Sequence, residues 1–227
     1  GIATKNYADA NQLLESIKGY QIKYASDIIP SDEKIEAEIL YNKYDIFRNL
    51  FLYYFLAGLL FFIFIILNIF SENKLIHKIM KYIFIIFRSS IVILFIAHTL
   101  GLIARWYISG HAPWGDAYES MIYVAWATMG IGLLFIKKSD LTLASTSFVT
   151  SMILMIAHWN WMDPSIANLV PVLNSYWLMI HVSVIVGSYG PFALSMILGF
   201  VSLLLIVFIT TSNKEKIKNQ LLSLIHI

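Results

Sequence analysis

The sequence has 227 residues, 59% of them hydrophobic and 13% charged, with a mean hydropathy of +0.72. A soluble domain is usually about 45–50% apolar and about 25% charged, so this composition excludes disorder and points to a polytopic helical membrane protein rather than a soluble one. A net charge of only +2 offers no basic surface to nucleic acid, and the absence of cysteine removes disulfides, thiolate metal sites and cysteine nucleophiles, leaving His, carboxylate, Met or carbonyl groups to hold any metal or cofactor.

Residues 1–50 carry eight acidic and six basic side chains, against totals of 14 and 16 for the whole chain. This segment reads as polar and partly helical. Ser31-Asp32-Glu33 after Pro30 has the form of a helix start, and Ile35, Ile39, Leu40 and Tyr44 are spaced for one apolar face. The first residues are too polar for a signal peptide and Gly1 is not a start methionine, so the segment is expected to lie inside a longer protein.

Five uncharged or nearly uncharged stretches follow: 50–70, 82–104 (with Arg88 near one end, where it can snorkel), 120–136, 141–162, and one within 165–213. At about 20 residues per span, they predict an all-α protein with five transmembrane helices. The implied domains are an extracytoplasmic, mostly helical segment at 1–49, a five-helix membrane domain at 50–213 and a cytoplasmic tail at 214–227. Lys74, Lys78 and Lys81 follow the first span, Lys137 and Lys138 the third, and Lys214, Lys216 and Lys218 the fifth, whereas the opposite loops carry only Arg105. The positive-inside rule therefore puts the lysine ends in the cytoplasm and the first 50 residues outside, which in turn suggests a further membrane segment upstream.

This topology sorts the aromatic side chains unevenly. Trp106, Trp114, Trp159, Trp161 and Trp177 fall at outer helix ends or in outer loops, Trp126 lies about two turns into the third span, and no Trp lies on the cytoplasmic side. An ordinary aromatic belt occupies both interfaces, so the outer indoles form either a flat platform or one-sided anchoring. His77 and His226 are cytoplasmic and read as solvated, while His98, His111, His158 and His181 belong to the outer half. A polar residue within a span is costly and a functional candidate by default, although a single His often does no more than bond a nearby carbonyl, the plainer reading for His98 and His158.

His181 stands apart through length. The apolar run 176–210 would be about 52 Å long as a helix, against a bilayer core of about 30 Å. Counting back from the cytoplasmic end places the membrane portion near 190–209, with a kink predicted at Gly187, Gly190 and Pro191. His181 then sits near the outer surface, reachable from water and able to ligate a metal.

The loop RWYISGHAPWGDAYES, 105–120, gathers Arg105, Trp106, His111, Trp114, Asp116, Tyr118 and Glu119. Arg105 has two possible partners, Glu119 or a carboxylate on a ligand, and Glu119 near a helix start suits the helix dipole. The alternative is a re-entry loop held by its own hydrogen bonds. No HExxH, GxSxG, P-loop or dinucleotide-binding motif is present.

Two stretches resemble a known family. RWYISGHAPWGDAYESMIYVAW at 105–126 and WLMIHVSVIVGSYGPFALSMILG at 177–199 are similar to the CcsA-type cytochrome c assembly proteins of system II biogenesis, matching SGHxPxxxxYES at Ser109 to Ser120 and HVxxxxxSY at His181 to Tyr189. The first 50 residues resemble the join between the CcsB-like and CcsA-like parts of fused cytochrome c synthetases. The resemblance implies delivery and presentation of haem b, as a transported substrate, on the extracytoplasmic face of the bacterial inner membrane, for covalent attachment to apocytochrome c. It implies that His181 is an axial ligand to the iron; on this reading the porphyrin lies on an outer aromatic surface, with Trp177, His111 and Trp114 at the cofactor and Arg105 the outer candidate for its propionates. The implied partners are haem, apocytochrome c, a CcsB-like subunit or fused domain, and membrane lipid, within a haem lyase complex. The family's tryptophan-rich WGxxWxWDxxE signature does not occur, so the chain is expected to be a fragment lacking that platform and the second axial ligand, and not active alone.

Two other classes fit the residues less well. A b-type electron-transfer protein would pair His98 with His181 across facing helices, but His98 lies about 12 Å inside Trp106 along its helix. A permease without cofactor would need a polar midplane site, suggested only by the Gly187–Pro191 break.

Overall fold

The computed structural model describes residues 7–26, 29–71, 73–159, 162–166, 175–209 and 214–225; Trp161 and His226 lie outside the described residues. The chain divides into two compact units, residues 1–40 and 41–227. The first contains helix α1 (Tyr7–Ala25) and most of α2 (Asp32–Tyr44), neither of which buries a residue. Ser31 starts α2 as its sequence suggests, its hydroxyl accepting from the Lys34 N–H at 3.4 Å.

The second unit holds α3 (Ile46–Phe70), α4 (Lys74–Ser109), α5 (Ala117–Leu134), α6 (Asp140–Ala157), α7 (Tyr176–Val207) and α8 (Lys214–Ile225). The fold is all-α, and four stretches, Asp32–Phe70, Lys74–Ser109, Asp140–Ala157 and Tyr176–Val207, are long and apolar enough to cross a membrane. The chain is a polytopic membrane protein. Helix α5, counted as a span from the sequence, is not one of the four. It has 18 residues, with Glu119 in its first turn and Thr128 and Gly132 buried along it, and these dilute its hydropathy. It packs against α4, α6 and α7, and a helix wrapped in protein needs no lipid-facing apolar surface.

Helix α6 is the centre of the bundle, packed most extensively against α3 and α5. Its Thr142, Ser145, Thr146, Ser147, Thr150 and Ser151 are all buried. Hydrocarbon is as apolar as leucine, so helices in a bilayer gain little from apolar burial and associate through close packing and hydrogen bonds. Both are visible here. The Ser147 hydroxyl donates to the Tyr54 carbonyl of α3 at 2.9 Å. A Cβ at Gly58 would lie 2.7 Å from the Phe148 nitrogen, so only glycine permits this approach of α3 to α6.

The two ends of the bundle differ. At one, Arg88 forks onto Asp140 at 2.6 and 2.8 Å, Lys216 Nζ donates to the Ser71 carbonyl at 2.7 Å, and the Ser223 hydroxyl donates to the Lys138 carbonyl at 3.0 Å. These bonds join the three lysine-bearing segments into one basic end. The opposite end holds Arg105, Glu119, Tyr118 and His158. Helix α7 has 32 residues and runs on through Pro191, a length of about 48 Å.

Candidate functional site

Helix α4 stops at Gly110, whose φ of +76° is a left-handed conformation that favours glycine, and whose N–H bonds the Trp106 carbonyl at 2.9 Å. The chain then turns through residues 111–116 into α5, where Asp116 is the N-cap: its Oδ1 accepts from the Glu119 N–H at 2.7 Å. Burial pushes the Asp116 carboxyl above its ordinary range, and the Glu119 charge adds to this against the opposing bond from the Glu119 N–H.

Arg105 and Glu119 organise this turn. Their side chains are 0% and 1% exposed, and Arg105 Nε donates to Glu119 Oε1 at 2.9 Å. The other guanidinium nitrogens donate to the carbonyls of Pro164 at 2.9 Å and Ser165 at 3.0 Å, and the Tyr118 ring lies 5.1 Å from the guanidinium carbon. Glu119 Oε2 accepts from the Gly115 N–H at 2.8 Å. Of the two partners open to Arg105, the structure thus supplies the internal one. The guanidinium is closed inside the protein, tying α4, α5 and the segment after α6 together, and is not offered to a ligand. The Pro164 and Ser165 contacts carry no sequence signal, because backbone carbonyls accept whatever the residue type. The Asp163 carboxyl beside them is held below its ordinary range by the Ser165 N–H, which donates to it at 2.9 Å.

His111 is half-buried in the same turn, with Nδ1 3.2 Å from the Ala112 carbonyl and 3.9 Å from Glu119 Oε2. Trp114 anchors an aromatic chain. It meets Trp106 edge-on at 6.0 Å and 70°, and Tyr123 at 5.1 Å and 49°. Tyr123 stacks on Trp126, and Trp126 on Phe95. A cleft of about 140 Å³ opens among Trp106, Trp114, Tyr123 and Trp126. The described indoles therefore do not form one flat platform. Trp106 and Trp114 are crossed, and Trp159 and Trp177 belong to other surfaces, 56% and 77% exposed.

His98 and His158 are both engaged. His98 is fully buried, with Nε2 3.1 Å from the Ile122 carbonyl and the rings of Phe47 and Tyr54 alongside. His158 ends α6, with Nδ1 3.2 Å from the Leu154 carbonyl and Nε2 3.5 Å from Asp45. That Asp45 contact was not legible in the sequence; Asp45 sits at φ 40°, in the left-handed region that Asp tolerates better than most residues.

Helix α7 separates its residues by face. Gly187 and Gly190 approach α5: a Cβ at Gly187 would lie 3.6 Å from the Tyr123 ring, and one at Gly190 would lie 3.1 Å from the Thr128 Cα. At 100° per residue, His181 is turned well away from both. It shares an exposed stripe with Trp177, Val184, Ser188 and Phe192. Trp177 is one turn before it, packed edge-on against Tyr176 at 5.7 Å. Among the described residues nothing bonds the His181 ring, and no group of three His, Cys, Asp or Glu is arranged to hold a metal ion. The structure therefore brings Arg105, His111 and Trp114 together at the turn, and Trp177 and His181 together on α7, as two separate groups.

The sequence pattern of the cytochrome C assembly protein family matches residues 114–226. Protein NrfI of Wolinella succinogenes is 38% identical over 222 residues, covering 98% of this chain and 24% of NrfI. The chain belongs to the CcsA-type cytochrome c assembly family. The cytochrome c biogenesis protein CcsA of Lotus japonicus is 32% identical over 134 residues, 53% of this chain and 38% of its own. CcsA of Prochlorococcus marinus is 31% identical over 126 residues, 54% of this chain and 40% of its own. The chain spans a minor part of the length of each relative. Within this CcsA-type chain, the matched segment begins at Trp114 and includes both Glu119 and the His181 stripe, while the likeness to NrfI extends over Arg105 and His111 as well.

Proposed function

We propose that this chain is part of the membrane machinery of cytochrome c biogenesis, and that the free face of α7 presents haem b, its cargo, with the His181 imidazole on the iron. The carrying observation is the position of His181: exposed, one turn from the exposed Trp177, on a helix of 32 residues, about 48 Å, which exceeds the bilayer core of about 30 Å. A neutral imidazole supplies a lone pair to iron, and an indole one turn away supplies an apolar, polarisable surface for a macrocycle edge. The basic end lies in the cytoplasm by the positive-inside rule, which puts His181 and the N-terminal segment on the periplasmic side of a bacterial inner membrane. Apocytochrome c receives the haem there, in company with a CcsB-like partner. What this chain adds to thioether formation is placement: a fixed iron ligand holds the vinyl groups where incoming thiols can reach them. Arg105 and Glu119 act through the backbone they hold.

The test is the absorption spectrum of the full-length protein purified with bound haem. His181→Ala abolishes or displaces the Soret band, and added imidazole restores it in His181→Gly. His98→Ala retains it, because His98 is packed against the Ile122 carbonyl inside the bundle. Equal loss with both substitutions would instead support a b-type electron carrier, and retention with both would refute a haem ligand on α7.

A further inference from the structure

Helices α3 and α7 stay apart along part of their length, and an apolar groove of about 400 Å³ lies between them, walled by Phe62, Ile66 and Phe70 on one side and Val201, Leu204 and Phe208 on the other. A second hollow, about 270 Å³, shares Phe62, Val201 and Leu204 and continues toward Gly58 and Ser145. Along α3 the walls follow Gly58, Phe62, Ile66 and Phe70, one residue per turn, which makes the trough about 18 Å long. That is close to one leaflet of a hydrocarbon core about 30 Å thick. Apart from the Ser145 hydroxyl at the deep end, these walls offer hydrocarbon, so the fitting occupant is an acyl chain.

The mouth of the trough is chemically different. Phe70 ends α3, and the carbonyl of the next residue, Ser71, accepts from Lys216 Nζ at 2.7 Å. This bond and the fully buried Ile217 seat α8 at the opening. Lys214 and Lys218, one turn apart on α8, and Lys74, at the start of α4, are exposed. Among the described residues, Glu215 is the acidic side chain on α8, and Asp140 at this end is already engaged by Arg88. A short helix with a buried apolar strip flanked by lysines is the form that lies in a membrane interface and attracts anionic lipid.

We propose that this corner is a binding site for one anionic phospholipid, its acyl chain in the α3–α7 trough and its phosphate under Lys74, Lys214 and Lys218, with Lys216 holding α8 in place. The lipid fills the gap between α3 and the helix that carries His181. The site does not depend on the haem reading above.

The full-length protein is purified in nonionic detergent, delipidated, and its thermal unfolding followed against dioleoylphosphatidylglycerol, dioleoylphosphatidylcholine and inorganic phosphate. At saturation the phosphatidylglycerol arm raises Tm by about 5–10 °C, the other two by little, and high salt weakens the effect. Native mass spectrometry retains one phosphatidylglycerol per chain. K74Q/K214Q/K218Q lowers that retention without changing the lipid-free Tm. Leu204→Trp, which fills the trough and leaves every lysine in place, lowers it as well. Equal shifts from phosphatidylcholine, a full shift from inorganic phosphate alone, or undiminished retention by either variant overturns the proposal.

Discussion

Glu119→Ala takes the acceptor from Arg105 Nε and from the Gly115 N–H, bonds of 2.9 and 2.8 Å. It leaves a guanidinium of 0% exposure whose nearest remaining carboxylate oxygen is on Asp116, 3.7 Å away and itself 39% exposed. Removing one partner of a buried ion pair costs about 3–5 kcal/mol, because the surviving charge stays desolvated. For a chain of this size that lowers Tm by about 6–20 °C. Glu119→Gln keeps the shape and one acceptor, loses the charge, and is expected to cost about 1.5–3 kcal/mol, the worth of a charge-assisted bond. Arg105→Met combined with Glu119→Leu removes both charges and is expected to be less damaging than the sum of its singles. Tryptophan fluorescence during thermal unfolding is a suitable assay, because Trp114 sits in the clamped turn. A Tm loss for Glu119→Ala no larger than for Glu119→Gln, or a double variant as damaging as the summed singles, would refute the buried clamp.

Asp116→Ala removes the α5 N-cap and is expected to cost about 1 kcal/mol, whereas Asp116→Asn keeps a capping oxygen and costs little. Burial raises the Asp116 carboxyl above its ordinary range, so its contribution to stability is complete below that ordinary range and is lost as pH rises through the higher folded-state range. Asp116→Asn should flatten this part of the stability profile in acid melts, and an unchanged slope would contradict the burial argument. Gly190→Ala places a Cβ against the Thr128 Oγ1 and 3.1 Å from its Cα, and forcing α5 and α7 apart is expected to cost about 1–3 kcal/mol. Thr128→Ala should rescue only part of the loss, because the backbone contact remains; full rescue, read by thermal unfolding, would show that the hydroxyl alone fixes the spacing.

The apolar runs made the helices legible, and the lysine pattern made the basic end legible, because both are periodicities written along one chain. The phase of α7 was not legible: Gly187, Gly190 and Pro191 predict a kink, whereas the helix runs on through Pro191 and the two glycines are where it approaches α5. What escaped was decided by partners elsewhere in the chain. Helix α5 tolerates Glu119, Thr128 and Gly132 because α4, α6 and α7 pack against it. Topology leaves the outer indoles as either a platform or one-sided anchoring; ring orientation is set by packing, and Trp106 and Trp114 cross at 70°. Arg105 had a carboxylate in view at Glu119, but the carbonyls of Pro164 and Ser165 that complete its shell have no side-chain signature.

The separation of the turn from the α7 stripe still leaves them mechanically related. Arg105 fixes the chain at Pro164 and Ser165, ahead of the start of α7 at Tyr176. Gly187 and Gly190 fix the same helix against Tyr123 and Thr128 of α5. His181 lies six residues before Gly187, a rise of about 9 Å. The helix segment carrying Trp177 and His181 is therefore tied to α5, the helix that Glu119 helps start, at Gly187 and Gly190, while its outward face remains uncovered among the described residues. A buried guanidinium is suited to the anchoring role, since it makes several directional bonds at once and a lysine cannot replace its fork. On this geometry Arg105 and Glu119 fix the turn into α5, and α5 in turn carries Tyr123 and Thr128, the residues that α7 approaches at Gly187 and Gly190.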